Sequence, residues 1–266
     1  MLTLLLVALV GCGDTAEEGY PSSIAVLGHS GSTGQNSDPD RPGFEARENS
    51  WATGTNPEVN SVYSRILGSN PRINGSAGSL SQGGAGITMV SAQASQLLAT
   101  AADTELIIVQ VGENDLTCPL DRSALAGFKT QLTAVLRKLA NGAPRARVFV
   151  VSQFGTVIAY ARSLTRAERV AQGGTGPCDF MTPSGGIAAA KAARVQHSID
   201  GYETARQSAC ESVRTCTHDG GALSRIVNRR EYVSSDLNHL SIAGHAKVAA
   251  VTWRALHQTG VIPTKR

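Results

Sequence analysis

The residues best suited to chemistry are scattered along the chain. They are Ser30 in Gly28-His29-Ser30-Gly31-Ser32, Gly84 in Leu80-Ser81-Gln82-Gly83-Gly84-Ala85, Asn114 in Gly112-Glu113-Asn114-Asp115, and the pair in Asp236-Leu237-Asn238-His239. A serine hydroxyl becomes a nucleophile when a neighbouring base takes its proton, and an imidazole oriented by a carboxylate is such a base. Asp236 and His239 stand three residues apart. One turn can therefore set the carboxylate against the ring, fix its tautomer and stabilise the imidazolium formed when His239 takes the Ser30 proton. Each feature alone has a plainer reading: a Ser/Gly turn at Ser30, a turn former at Asn114, a local cap at Asp236 and a surface histidine at His239. Asp115, His29 and the Asp236/His239 pair match no metal-ligand spacing, and no cofactor is expected.

The elements around these residues decide between the readings. Ser30 follows a short apolar strand at about residues 23–27, and the glycines around Gly84 follow a weaker one at about 73–82. Asn114 follows the clearest strand, Leu106-Ile107-Ile108-Val109-Gln110-Val111, whose β-branched run implies burial on both faces. Further strands are expected at about 148–151 and near 223–227. Helical apolar spacing lies between them. Asn56-Pro57 reads as an N-cap followed by proline at the first helical position, and another helix begins near Thr88. Ser123 is a candidate cap for a third helix that Gly142 and Pro144 stop. A helix follows at about 187–209, and Ser241 caps the last one. The stretch from 153 to about 186 reads as an elaborated loop or lid. Strands alternating with amphipathic helices predict a parallel sheet covered on both faces. The loops at the carboxyl ends of such strands share one crevice, which would gather Ser30, Gly84 and Asn114.

Composition narrows the function. The chain has 266 residues, 41% hydrophobic and 17% charged, with a formal net charge of +3. That suits one large domain, and without a basic run or many aromatics it excludes nucleic acid as the expected partner. Residues 2–10 are continuously apolar but far short of the ~20 needed to span a bilayer, so residues 1–11 read as a secretory signal. No Lys or Arg precedes this run. Leu9-Val10-Gly11-Cys12 resembles a bacterial lipobox, which makes Cys12 the expected lipidation site and the only expected link to a membrane. Residues 12–21 would be a tether and 22–266 the domain, expected to be monomeric. Cys118, Cys178, Cys210 and Cys216 then form an even set suited to two disulfides outside the cytoplasm. Of three connectivities, Cys210 with Cys216 and Cys118 with Cys178 is preferred; four free thiols is the alternative.

Taken together, the four blocks resemble the SGNH, or GDSL, hydrolase family across about residues 22–258. The resemblance implies a three-layer α/β/α sandwich with a flavodoxin-like parallel sheet of about five strands. It also implies a role for each block: Ser30 as nucleophile, His239 as general base, Asp236 as its orienting partner. The oxyanion hole would comprise the Ser30 and Gly84 backbone N–H groups and the Asn114 side-chain amide, with Gly78 and Gly83 as competitors for the glycine position. The reaction implied is cleavage of carboxylic esters through an acyl-enzyme, on small-molecule, lipid or glycan esters at the cell envelope or outside the cell. A catalytically impaired binding lipoprotein and an acyltransferase of the same fold are the alternatives. One position departs from the pattern: His29 stands where the family has Asp.

Overall fold

The computed structural model describes residues 17–264, apart from 175 and 177. Five strands, all parallel, pair in the order β2-β1-β3-β4-β5. They are β1 (Ile24–Leu27), β2 (Ala77–Ser79), β3 (Leu106–Val109), β4 (Arg147–Val150) and β5 (Cys216–His218). β1 and β3 lie inside the sheet and are buried throughout, which is why each is an unbroken apolar run. The edge strands β2, Ala-Gly-Ser, and β5, Cys-Thr-His, are only partly buried and need no such run. Leu27 pairs with Val109, so the chain leaves β1 and β3 side by side. In this strand order the direction of winding reverses between those two strands, the place where open α/β sheets bind ligands.

Side chains alternate between the two faces of the sheet. Ile24, Val26, Leu106, Ile108 and Phe149 pack on one face with Trp51, α1 (Val62–Leu67) and α7 (Ile242–Gln258). Ala25, Leu27, Ile107, Val109, Val148 and Val150 pack on the other with α2 (Ile87–Thr100), α3 (Arg122–Gly142) and α6 (Ala189–Glu211). The result is the expected three-layer sandwich. Tyr20 already belongs to the first of these cores and stacks on Trp253, with ring centroids 6.0 Å apart.

Several elements differ from the sequence expectation. Asn56 does not open α1: its side chain takes the Glu58 N–H in a local turn, Asn60 adopts φ +47°, and Ser61 caps a helix that begins only at Val62. Asp121 rather than Ser123 caps α3, accepting from the N–H groups of Ser123 and Ala124. The last strand is β5, not residues 223–227, because β4 pairs with Cys216, Thr217 and His218. The stretch after β4 is not a bare loop but holds α4 (Val157–Ser163) and α5 (Arg166–Gln172), the latter started by a Thr165/Glu168 capping box.

Disulfides join Cys118 to Cys178 and Cys210 to Cys216, the pairing preferred from sequence. The first pins the α4–α5 insert to the segment after Asn114, and the second closes the turn from α6 into β5. Residues 1–11, expected to be a secretory signal, and Cys12 lie outside the described residues. Among the described residues no helix is long and apolar enough to cross a membrane.

Candidate active site

The Ser30 turn is fixed from several sides while its hydroxyl stays free. At the end of β1, Gly28 donates its N–H to Gln93 Oε1 at 2.8 Å, and its carbonyl accepts from Gln93 Nε2 at 2.9 Å. A side chain on Gly28 would collide with the Gln110 carbonyl, so only glycine permits this approach of β1 to β3. His29 then caps one 3₁₀ turn, Ser30–Ser32, by accepting the Gly31 N–H on Nδ1 at 3.0 Å. Trp51 Nε1 donates to the Gly31 carbonyl at 3.0 Å, and Ser32 Oγ donates to Ser81 Oγ at 2.8 Å. Ser30 itself is half-buried, and among the described residues neither its N–H nor its Oγ has a hydrogen-bond partner.

The glycine loop and the Asn114 turn lock onto each other. Gly84 has φ +75° with open space beside it, so its backbone conformation rather than crowding favours glycine. Gly78 is inside β2 and the Gly83 N–H donates to Glu45 Oε1 at 3.3 Å, whereas the Gly84 N–H has no acceptor among the described residues. Asn114 Nδ2 donates to the Ala85 carbonyl at 3.1 Å and keeps its second N–H. Asp115 accepts the Ile87 N–H at 2.9 Å, capping α2 where Gly86 offers no side chain. A Cβ on Gly86 would lie 2.7 Å from the Asp115 carboxylate, so this glycine makes room for the cap.

Asp236 and His239 sit in a tight loop closed by the Val233/Leu240 bridge. His239 Nδ1 and Asp236 Oδ2 are 2.6 Å apart. Asp236 accepts four further hydrogen bonds: Ser234 Oγ at 2.5 Å and the N–H groups of Asn238 and His239 at 3.0 Å reach Oδ1, and Asn36 Nδ2 reaches Oδ2 at 2.5 Å. Burial opposes the charge, but the bonds from Ser234, the His239 ring and the two backbone groups outweigh it and hold the carboxyl well below the usual range. The ionised Asp236 accepts from Nδ1–H, which leaves the lone pair of His239 on Nε2. The insert supports this loop: Gln172 Nε2 donates to the Asp236 carbonyl at 3.1 Å, and the Tyr160 hydroxyl donates to the Leu237 carbonyl. Leu237 needs that support because it adopts φ +60°, costly for a side chain that large.

The structure thus brings Asp236 and His239 into contact and ties both to the Ser30 loop through Asn36. It gives no hydrogen bond between Ser30 Oγ and His239. Asn36, Ser234 and Gln93 carry no sequence signal of their own. Glu113, by contrast, stands inside the Asn114 block, and its 2.7 Å contact with His29 Nε2 explains what the anomalous histidine does.

Behind the strand ends, Arg206 donates to the Val111 carbonyl at 2.7 Å and to Glu203 at 2.5 Å. His218 Nε2 lies 3.1 Å from the other Glu203 oxygen. Glu203, His218 and Asp219 bring their donor atoms within 4.8 Å of one another. Arg206 holds one Glu203 oxygen, the other faces His218, and Ser152 Oγ and the Gly221 N–H hold the two Asp219 oxygens, so the cluster braces α6 against β5 and the segment after β4.

No protein-family model and no curated protein matches the chain. Solved structures do. The chain is 14% identical to TesA, covering 89% of this chain and 99% of that one, with a TM-score of 0.55. It is 14% identical to the lipase Lip_vut3 from a goat rumen metagenome (88% and 96% covered, TM-score 0.56). It is also 14% identical to the acetylxylan esterase Axe2 from Geobacillus stearothermophilus (91% and 95% covered, TM-score 0.53). At these identities the likeness establishes the architecture: nearly the whole chain adopts the open α/β fold of these proteins.

Proposed function

We propose that the chain is an SGNH/GDSL-type serine hydrolase that cleaves carboxylic esters. His239 Nε2 takes the Ser30 proton as Oγ attacks the ester carbonyl, and the imidazolium gives that proton to the departing alcohol. The oxyanion is received by the N–H groups of Ser30 and Gly84 and the second N–H of Asn114, three donors with no competing acceptor among the described residues. Water, activated by His239, then releases the acyl group. Hydrogen bonds between nucleophile and base are often long or poorly aligned without substrate and tighten only in the complex, and the Ser30–His239 bond is expected to form there. The observation that carries the reading is the 2.6 Å Asp236–His239 contact in a loop bound through Asn36 to the segment just after Ser30. The lipase and the acetylxylan esterase of the same fold support ester hydrolysis. The apolar leader, Cys12 and the two disulfides support an exported, lipid-anchored protein.

The test is labelling with a fluorophosphonate and peptide mass spectrometry, alongside turnover of p-nitrophenyl acetate. The expected adduct is on Ser30, and both adduct and turnover disappear in Ser30→Ala. Turnover retained in that variant would falsify the assignment.

A further inference from the structure

We propose that His29 and Glu113 form a strut between the Ser30 turn and the Asn114 turn, making both positioning residues for the oxyanion donors. The inference rests on the serine hydrolase reading of this site. His29 is 6% exposed, and both its ring nitrogens are committed. Nδ1 accepts the Gly31 N–H at 3.0 Å and so carries the lone pair. The proton is therefore on Nε2, which donates to Glu113 Oε2 at 2.7 Å. A ring held at both nitrogens is not available as a base for the adjacent Ser30.

The strut joins the two turns that carry the proposed oxyanion donors. Its two ends are the immediate chain neighbours of Ser30 and Asn114, so its length sets the separation of the Ser30 N–H from the Asn114 amide. It also selects the donors: the imidazole occupies the Gly31 N–H, which leaves Ser30 as the free N–H of this turn. The ring lies so close to Gly31 that a Cβ there would be 2.8 Å from His29 Cε1. Burial works against the charge on Glu113, yet the contact with His29 and the Arg206 guanidinium hold its carboxyl below the usual carboxylate range, so it remains an acceptor at neutral pH.

The arrangement is chemically reversible. A carboxylate at position 29 is a good cap for the Gly31 N–H, as Asp commonly is at such turns. It would then face Glu113 with no proton between them, unless position 113 supplied the imidazole. His29→Asp alone should therefore fail, and His29→Asp with Glu113→His should restore the bridge.

The experiment measures kcat and KM on p-nitrophenyl acetate for the unaltered protein, E113A, E113Q, H29D and H29D/E113H, with circular dichroism to establish folding. Histidine ¹⁵N spectra are recorded in parallel. Because misplacing catalytic groups by 1 Å can cost about 10²-fold, E113A and H29D are expected to lose roughly 10- to 100-fold in kcat with KM within about twofold. E113Q keeps an acceptor oxygen and should exceed E113A about tenfold, and the double swap should exceed H29D by a similar factor. The spectra should show His29 as the neutral Nε2–H tautomer. Any one of three results overturns the strut: unchanged kcat in folded E113A, a folded double swap no better than H29D, or protonated Nδ1 on His29 in the unaltered protein. Absence of turnover and of the fluorophosphonate adduct in the unaltered protein would sink the hydrolase reading instead, while the tautomer spectrum still judges the strut.

Discussion

Asn36 Nδ2 donates to Asp236 Oδ2 at 2.5 Å, a bond between residues 200 positions apart in the chain. Asn36 lies six residues beyond Ser30, and Asp236 Oδ2 is the oxygen that faces the His239 ring. One side-chain amide therefore couples the Ser30 loop to the carboxylate that faces His239. Its other end accepts the Gly43 N–H at 2.5 Å, which anchors the excursion carrying the exposed Phe44.

Removing this amide should weaken the orientation of His239 without unfolding the protein. Asn36 has φ +56°, so glycine is the right replacement: it keeps the backbone and deletes only the side chain. Asp236 retains four hydrogen bonds, and the expected loss in Asn36→Gly is about tenfold in kcat/KM on p-nitrophenyl acetate, worth about 1.4 kcal/mol. An unchanged rate in the folded variant would show that Asp236 is held well enough by its own loop.

The coupling by Asn36 marks where sequence reading stops. β3 and the apolar face of α3 were legible because burial on both faces, or on one helical stripe, leaves a periodic trace. The four blocks were legible because each ends or flanks an element. β5 was not: three half-buried residues at an edge have no pattern of their own, and only the partner β4 makes them a strand. The start of α1 lies later than its sequence predicts: Asn56-Pro57 satisfies the local rule for a cap, but the backbone hydrogen bonds of Val62 and Tyr63 to Trp51 and Ala52 place the helix after them. α5 could have been found from the Thr165/Glu168 spacing alone. Asn36 could not, since nothing local distinguishes it from any turn asparagine.

Asp236→Asn should abolish most activity while leaving the fold intact. The amide can still accept from one side, but it loses the charge that stabilises the His239 imidazolium and can impose the wrong ring tautomer. A decrease of about 10²–10⁴ in kcat is expected, with little change in KM. Activity within tenfold of the unaltered protein would mean that Asp236 acts only as a loop tie.

Acid should destabilise the protein through carboxylates behind the strand ends. Burial alone would raise Glu203, but His218 and Arg206 hold it down at about 2, and Glu113 is likewise held below its ordinary value. Both groups have lower pKa values folded than the ordinary 4.5. Their contribution is therefore complete above about pH 5 and is lost as pH falls towards 2, when the unfolded chain binds more protons than the folded one. The unfolding free energy obtained from urea titrations should fall steeply from pH 5 to pH 3, by a few kcal/mol in total. Glu203→Gln should lower stability at pH 7 and flatten this decline; an equally steep decline in that variant would assign the acid sensitivity to other groups.

The two disulfides should differ in what they hold. Cys118–Cys178 spans 60 residues and Cys210–Cys216 only six. On the chain-entropy model the first contributes about 4 kcal/mol and the second about 2 kcal/mol. The longer one also pins the insert whose Tyr160 and Gln172 brace the His239 loop. Replacing Cys118 and Cys178 together by alanine should lower both the melting temperature and kcat, whereas the Cys210/Cys216 pair of substitutions should lower the melting temperature with kcat retained. The comparison needs only thermal unfolding and p-nitrophenyl acetate kinetics on the two variants. Equal kcat in both would detach the insert from catalysis and leave the long disulfide a purely structural bond.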